Sequence, residues 1–167
     1  MTRRVALLRG INVGTSTRIA MADLRALVGE LGGSDVVTYV NSGNVAFSGE
    51  LSDDLARRIH AAFGVATAVV MVDAAKLDSI VADMPFSSDD HAKLGVLFMD
   101  SVPKQIAEPA DLAPERLALG AHAIYLDLPN GFGRSKLTPA WSRKQLPPET
   151  TARNWRTVLK LQELVRG

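Results

Sequence analysis

The stretch Thr38-Tyr39-Val40-Asn41-Ser42-Gly43-Asn44-Val45-Ala46-Phe47-Ser48 decides the fold. Asn41-Ser42-Gly43 is hairpin-turn chemistry, set between two strand-like runs at 35–40 and 44–48. Before the hairpin, Met21, Leu24, Leu27, Val28 and Leu31 recur at helical spacing, and Gly32-Gly33 ends that helix. Before that helix, residues 4–9 (Arg-Val-Ala-Leu-Leu-Arg) form a short apolar run, read as a buried strand. After the hairpin, Ser52 is placed to cap a helix carrying Leu55, Ile59 and Phe63, and Gly64 stops it. Residues 66–72 then form a β-branched strand. The order β-α-β-β-α-β is the split βαβ of a ferredoxin-like unit.

The rest of the chain reads as a looser version of the same pattern. Asp73 caps a helix with Leu77, Ile80, Val81 and Met84, which Pro85 ends. Residues 94–99 form a strand, and 102–114 form a Pro-rich acidic connection with room for one helical turn. Residues 116–119 and 121–128 pair as a hairpin. Gly-rich 130–134 leads into a helix near 136–145 capped by Ser135, and a last helix runs from Thr151 to Val165. The expected fold class is α+β: a ferredoxin-like βαββαβ first half and a related, helix-terminated second half packed together. The expected organisation is an N-terminal subdomain, 1–73, and a C-terminal α/β subdomain, 74–167, forming one compact unit.

Composition narrows the chemistry. The 167 residues, 47% hydrophobic and 22% charged, suffice for a core without staples. With no cysteine there is no disulfide, thiolate metal site or cysteine nucleophile. No signal-like segment follows the N-terminal Met1-Thr2-Arg3-Arg4, and no apolar run reaches membrane-helix length. The expectation is a cytoplasmic protein with no membrane partner. The net charge of +1 hides an asymmetry. Residues 1–18 carry four bases and no acid, and residues 134–167 carry eight bases and two acids. The acidic middle, 19–133, holds 7 bases and 16 acids. If the ends meet, they make a positive face suited to an anion or a nucleic acid; uneven solvated charge is the plainer alternative.

Most catalytic patterns are missing. His60, His91 and His122 stand apart without metal-ligand spacing, so neither a metal nor a cofactor is expected. No serine sits in a nucleophile elbow. Gly10-Ile11-Asn12-Val13-Gly14 is three residues between glycines with no following lysine, which is not a phosphate-binding P-loop. Paired Asp53-Asp54 fits the first turn of a helix, where carboxylates favour the dipole.

Four polar constellations remain. Arg9, Asn12, Gly14 and Arg18 stand in a long strand-to-helix loop, the kind of helix entrance that suits anions. Thr38, Ser42 and Asn44 surround the hairpin turn, where tight-turn chemistry alone accounts for most of the pattern. Ser135 and Lys136 follow Gly131-Phe132-Gly133-Arg134 at a second basic helix start. Arg153, Asn154 and Thr157 lie at the start of the last helix. There Asn154 shares the inward face with Val158, Leu161 and Val165, and Arg153, Arg156 and Lys160 form the opposite stripe.

These segments together resemble the DUF1697 family, a domain of unknown function. The resemblance lies in Leu8-Arg9-Gly10-Ile11-Asn12-Val13-Gly14, Thr38-Tyr39 with Ser42-Gly43-Asn44, Pro85-Phe86, Ser135-Lys136-Leu137 and Ala152-Arg153-Asn154-Trp155. It implies two ferredoxin-like subdomains and brings no activity. The chain departs from the family in having Asn41 where glutamine is common and Thr15 where a second glycine is common. The leading functional expectation is a binding protein for an anionic ligand, nucleic acid or nucleotide, with Arg9, Arg18, Lys136 and Arg153 on one face. Two alternatives stand beside it. One is an enzyme acting on a small phosphorylated or acylated substrate in a polar pocket at 38–44. The other is a structural or oligomerising scaffold.

Overall fold

A computed structural model describes residues 2–166. The chain forms two compact units. The first holds the residues up to Leu77 together with those from Leu161 on; the second holds Asp78–Lys160.

The first unit has strands β1 (Arg3–Leu8), β2 (Ser34–Tyr39), β3 (Asn44–Ser48) and β4 (Val69–Asp73), with helices α1 (Met21–Glu30) and α2 (Leu55–Phe63). The sheet order is β2-β3-β1-β4, and every adjacent pair is antiparallel. This is the ferredoxin-like arrangement expected from the element order. Ala6, Leu8, Val45 and Phe47 face Leu24, Leu27, Val28 and Leu31 of the α1 segment and Leu55 and Ile59 of α2, in one buried cluster. Each of these side chains larger than alanine stabilises by about 1.5–3 kcal/mol. Helix α1 ends where the spacing predicts: Gly32 has φ 102° and Gly33 N donates to Val28 O at 3.0 Å.

The second unit has β5 (Leu94–Phe98), β6 (Arg116–Leu119), β7 (Ile124–Asp127) and β8 (Thr151–Asn154), in the order β6-β7-β5-β8. That order repeats the first unit strand for strand. Helix α4 (Pro139–Gln145) joins β7 to β8. Where the first unit has α1, the second has an irregular connection from Met99 to Glu115 with isolated turns and no helix. Its core gathers Leu97, Met99, Ile124, Leu126, Leu128 and Leu146, with Trp141 and Leu117 against them. Helices α3 (Ala74–Ala82) and α5 (Trp155–Arg166) carry the chain from one unit to the other. None of the described helices is long and apolar enough to cross a membrane.

Several local expectations are corrected. The cap of α2 is Asp54, whose carboxylate accepts from Arg57 N at 2.8 Å; Ser52 lies too far upstream, its N–H bonded to Leu31 O. Asp54 therefore precedes the helix and does not sit in its first turn. Ser135 is not the cap of α4. Pro139 takes the first helical position, where no N–H is needed, and Thr138 caps through Trp141 N at 3.2 Å. Thr151–Asn154 is not the start of the last helix but a strand, paired to β5 with Phe98 opposite Thr151 and Val96 opposite Arg153. Its four residues are too few to separate an alternating pattern from the first turn of a helix.

Candidate functional site

The loop between β1 and α1 is closed by one amide. Asn12 Oδ1 accepts from Ile19 N at 2.8 Å, while Asn12 Nδ2 donates to Ile19 O at 3.1 Å and to Asn41 O at 2.7 Å. Asn12 N adds a bond to Thr17 O, and Thr17 Oγ1 bonds both N and O of Val13. Asn12 holds φ 55°, a left-handed value that asparagine tolerates better than most residues. One side chain thus pins both ends of the loop and ties it to the hairpin turn. The loop tip, Val13 to Ser16, is left exposed, with Val13 at 70%.

The hairpin is fastened just as locally. Asn44, fully buried, donates through Nδ2 to Tyr39 O at 2.9 Å and Ser42 Oγ at 3.1 Å. Gly43 has φ 85°, and a Cβ there would lie 2.7 Å from Leu8 Cβ, so no other residue fits. Thr38 Oγ1 accepts from Arg25 Nη1 of α1 at 2.6 Å. Arg25 has only its i+4 relation to Met21 to mark it in the sequence. Arg9 lies just beyond β1 and is exposed, so its charge carries no burial cost; its N–H donates to Ala68 O and Thr67 Oγ1.

Of the sequence-derived residues in this unit, Asn12, Gly14 and Arg18 line one open groove of about 460 Å³, joined by Asn41, Ala20 and Met21. The groove opens at the first turn of α1. Ala20 occupies the N-cap position and has no side chain to satisfy the first-turn N–H groups. Arg18 is exposed. The polar atoms of Thr38, Ser42 and Asn44 take part in the bonds that hold the hairpin.

In the second unit the motif residues serve a different purpose. Glu115 is buried at 5% exposure, and no neighbouring residue in the sequence marks its role. Its Oε1 accepts from Ser135 Oγ at 2.5 Å and its Oε2 from Lys136 N at 2.9 Å. Lys136 Nζ donates to Asp111 O and Ala113 O and lies 3.7 Å from Asp111 Oδ2. Ser135-Lys136 therefore fastens the irregular connection.

Arg153 does not stand in an exposed stripe with Arg156. It alternates inward on β8, is 8% exposed, and donates through Nη1 to Thr151 Oγ1 at 2.7 Å and Ala152 O at 2.8 Å. Burial pushes its guanidinium down to about 10. Asn154 is not an inward helical residue; its Oδ1 caps α5 by accepting from Thr157 N at 2.9 Å. The three histidines are exposed, and no group of three potential metal ligands gathers among the described residues.

A family model described as "Protein of unknown function (DUF1697)" matches residues 1–125. Among solved structures, a conserved bacterial protein from Streptococcus pneumoniae is similar, with a TM-score of 0.73 at 24% identity. The alignment covers 100% of this chain and 99% of that one, a likeness of fold. No curated protein matches the chain.

Proposed function

We propose, from the premise that the chain belongs to the DUF1697 family of proteins of unknown function, that it binds an anionic ligand, a nucleotide or a nucleic acid, and meets its phosphate at the groove before α1. One observation carries this reading: the uncapped first turn of a ten-residue helix opens onto a groove that Arg18 and Gly14 also line. The first N–H groups of a helix have no intrahelical acceptor and carry about half a positive charge between them. Phosphate oxygens are suited to that position, and glycine lets them approach the backbone. Asp23 in the first turn offsets part of this field, and Arg18 adds to it. The Asn12 clamp fixes the loop in advance, so little ordering entropy opposes binding. The groove is open, and such a form supports binding of an extended or partly exposed ligand better than a reaction sheltered from water.

Fewer cations line the groove than the sequence alone suggested. Arg153 is buried and Lys136 is bonded to backbone carbonyls, so the surface cation at the groove is Arg18.

The test is a fluorescence-anisotropy titration of labelled single- and double-stranded oligonucleotides at low and near-physiological salt, with nucleoside mono-, di- and triphosphates as competitors. Binding is expected to weaken with salt. Arg18→Ala is expected to weaken it about tenfold and lower the salt slope by about 1. No binding of any of these anions at low salt, or binding indifferent to Arg18→Ala, would sink the proposal.

A further inference from the structure

We propose that the hairpin turn after β2 is a strained two-state clasp, held shut by Asn12 and opening at Val40, and that its state sets the shape of the groove before α1. The clasp is a property of the chain alone and does not depend on what the groove binds.

A residue in a conformation foreign to its type carries the proposal. Among the described residues, three that are not glycine have a left-handed backbone: Asn12 at φ 55°, Asp35 at 50° and Val40 at 51°. Asparagine and aspartate tolerate that region, because a short polar side chain can bond locally there; a β-branched side chain crowds its own backbone. The strand expected over 35–40 ends at Tyr39, and Val40 opens the turn instead. Burial does not offset the strain, since Val40 is 53% exposed. Such a conformation persists only where surrounding bonds impose it.

Two amides impose it, one on each side. Tyr39 O, before Val40, accepts from Asn44 Nδ2 at 2.9 Å, and Asn41 O, after it, accepts from Asn12 Nδ2 at 2.7 Å. The two holds differ in strength. Asn44 is fully buried, and Gly43 O accepts from Leu8 N at 2.9 Å, so that side of the turn is fixed to β1. The bond from Asn12 to Asn41 is exposed, and water competes for both partners. A left-handed residue with a Cβ disfavours the closed form by roughly 5- to 30-fold. One neutral hydrogen bond favours it by about 2- to 12-fold. The opposing factors are of similar size, so an open form, with Val40 at negative φ and Asn41 O released, is a minor state of about 0.1–10%. Asn41 also lines the groove beside Asn12, Gly14 and Arg18. Opening therefore moves one wall of the groove, while the bonds of Asn12 to Ile19 N and O keep the other in place.

The experiment is nitrogen relaxation dispersion on the full chain, paired with urea unfolding. Three variants separate strain from bonding. Val40→Asn brings a residue that accepts positive φ, Val40→Thr keeps the β-branch and its strain, and Asn12→Gly accepts the left-handed backbone but removes the amide. In the wild type, the backbone amides of Val40 to Ser42 and the Asn12 side-chain amide are expected to exchange at one common rate on the μs–ms scale. Val40→Asn is expected to lower the open population about tenfold and to raise the folding equilibrium constant about tenfold. Val40→Thr is expected to stay within about twofold of the wild type in both. Asn12→Gly is expected to raise the open population about fivefold. Exchange absent from both the wild type and Asn12→Gly, unrelated rates at Asn12 and Val40, or equal behaviour of Val40→Asn and Val40→Thr would overturn the proposal. A gain in stability in Val40→Asn with the open population unchanged would leave strain without a clasp and overturn it as well.

Discussion

The two units share a strand order and differ in the connection from their first strand to their second. In the first unit that connection contains α1, which satisfies its own backbone and contributes Leu24, Leu27 and Val28 to the core. In the second it is irregular: two turns close locally, Leu112 N on Pro109 O and Glu115 N on Leu112 O, and its other named partners come from residues 20 to 49 positions away, Asp100 N donating to Glu149 Oε2 among them. Ala107 N donates to Gln145 Oε1, Trp141 Nε1 to Ala107 O, and Lys136 Nζ to Asp111 O, while Glu115 gathers Ser135 and Lys136. A chain segment without helix or strand must find hydrogen-bond partners elsewhere or lose stability. This explains why a polar motif such as Ser135-Lys136 can be prominent in the sequence while acting as a fastener. It also explains why the open helix start lies in the first unit, where the helix frees the loop from that duty.

Removing the fastener should produce the largest effect. Glu115→Ala leaves Ser135 Oγ and Lys136 N without their acceptor in a partly buried site and deletes two charge-assisted bonds, for an expected loss of about 3–5 kcal/mol. Urea unfolding with a probe in each unit would locate the loss: the Trp141 environment should fail first, and the α1 region should follow. A change under 1 kcal/mol would mean that the connection is held by its apolar contacts, chiefly Ile106 and Val102, and the contrast between the units would collapse.

The counterpart in the first unit is Asn12→Ala, which should cost less. Three neutral side-chain bonds are lost at a half-buried position, where water replaces them in part, for about 1–2 kcal/mol. Amide exchange should quicken through Val13–Ile19 with little change in α1. If exchange quickened throughout α1 as well, the loop would be a determinant of the helix and not an appendage to it.

The fold was legible wherever a local rule decides it. Asn41-Ser42-Gly43 announced the hairpin because only a few residues accept its dihedral angles, and Leu24, Leu27, Val28 and Leu31 announced α1 through their period. Strand β8 was hidden because its pairing with β5 spans more than fifty residues and its inward residue is an arginine, the reverse of what burial predicts. The site was legible in part. Arg18, Gly14 and Asn12 share a groove because they share a loop. The link between Glu115 and Ser135 depends on the tertiary fold, and nothing near Glu115 in the sequence sets it apart from the acidic stretch around it. Asp54 against Ser52 shows the limit at fine scale: either residue can cap, and where the helix begins decides between them.

The smallest expected effect tests whether polar fastening extends to the centre of the second sheet. The central strands of the first unit meet through apolar residues, Val5 opposite Ala46 and Ala6 opposite Val45. In the second, Val96 stands opposite Tyr125, whose buried hydroxyl donates to Ile80 O at 2.7 Å. Burial, with a smaller contribution from the charge of Asp83, raises that phenol to about 12. Tyr125→Phe should cost about 1 kcal/mol at neutral pH, because the Ile80 carbonyl loses its partner. The pH dependence follows from the raised value. Below the unfolded value near 10 both states hold the proton and the contribution of the hydroxyl is complete; as pH rises from there toward 12, the unfolded chain ionises first and the contribution is lost. Buried Arg153, pushed down to about 10, acts in the opposite sense over the same range, releasing its proton first from the folded state and adding stability as pH rises. Arg153 is present in both proteins, so the difference between wild type and Tyr125→Phe isolates the tyrosine. Unfolding free energies compared from neutral pH upward should show the gap shrink once pH exceeds 10. A gap that stays constant would mean that the phenol ionises equally in both states, and the centre of the second sheet would then be held by packing, as in the first.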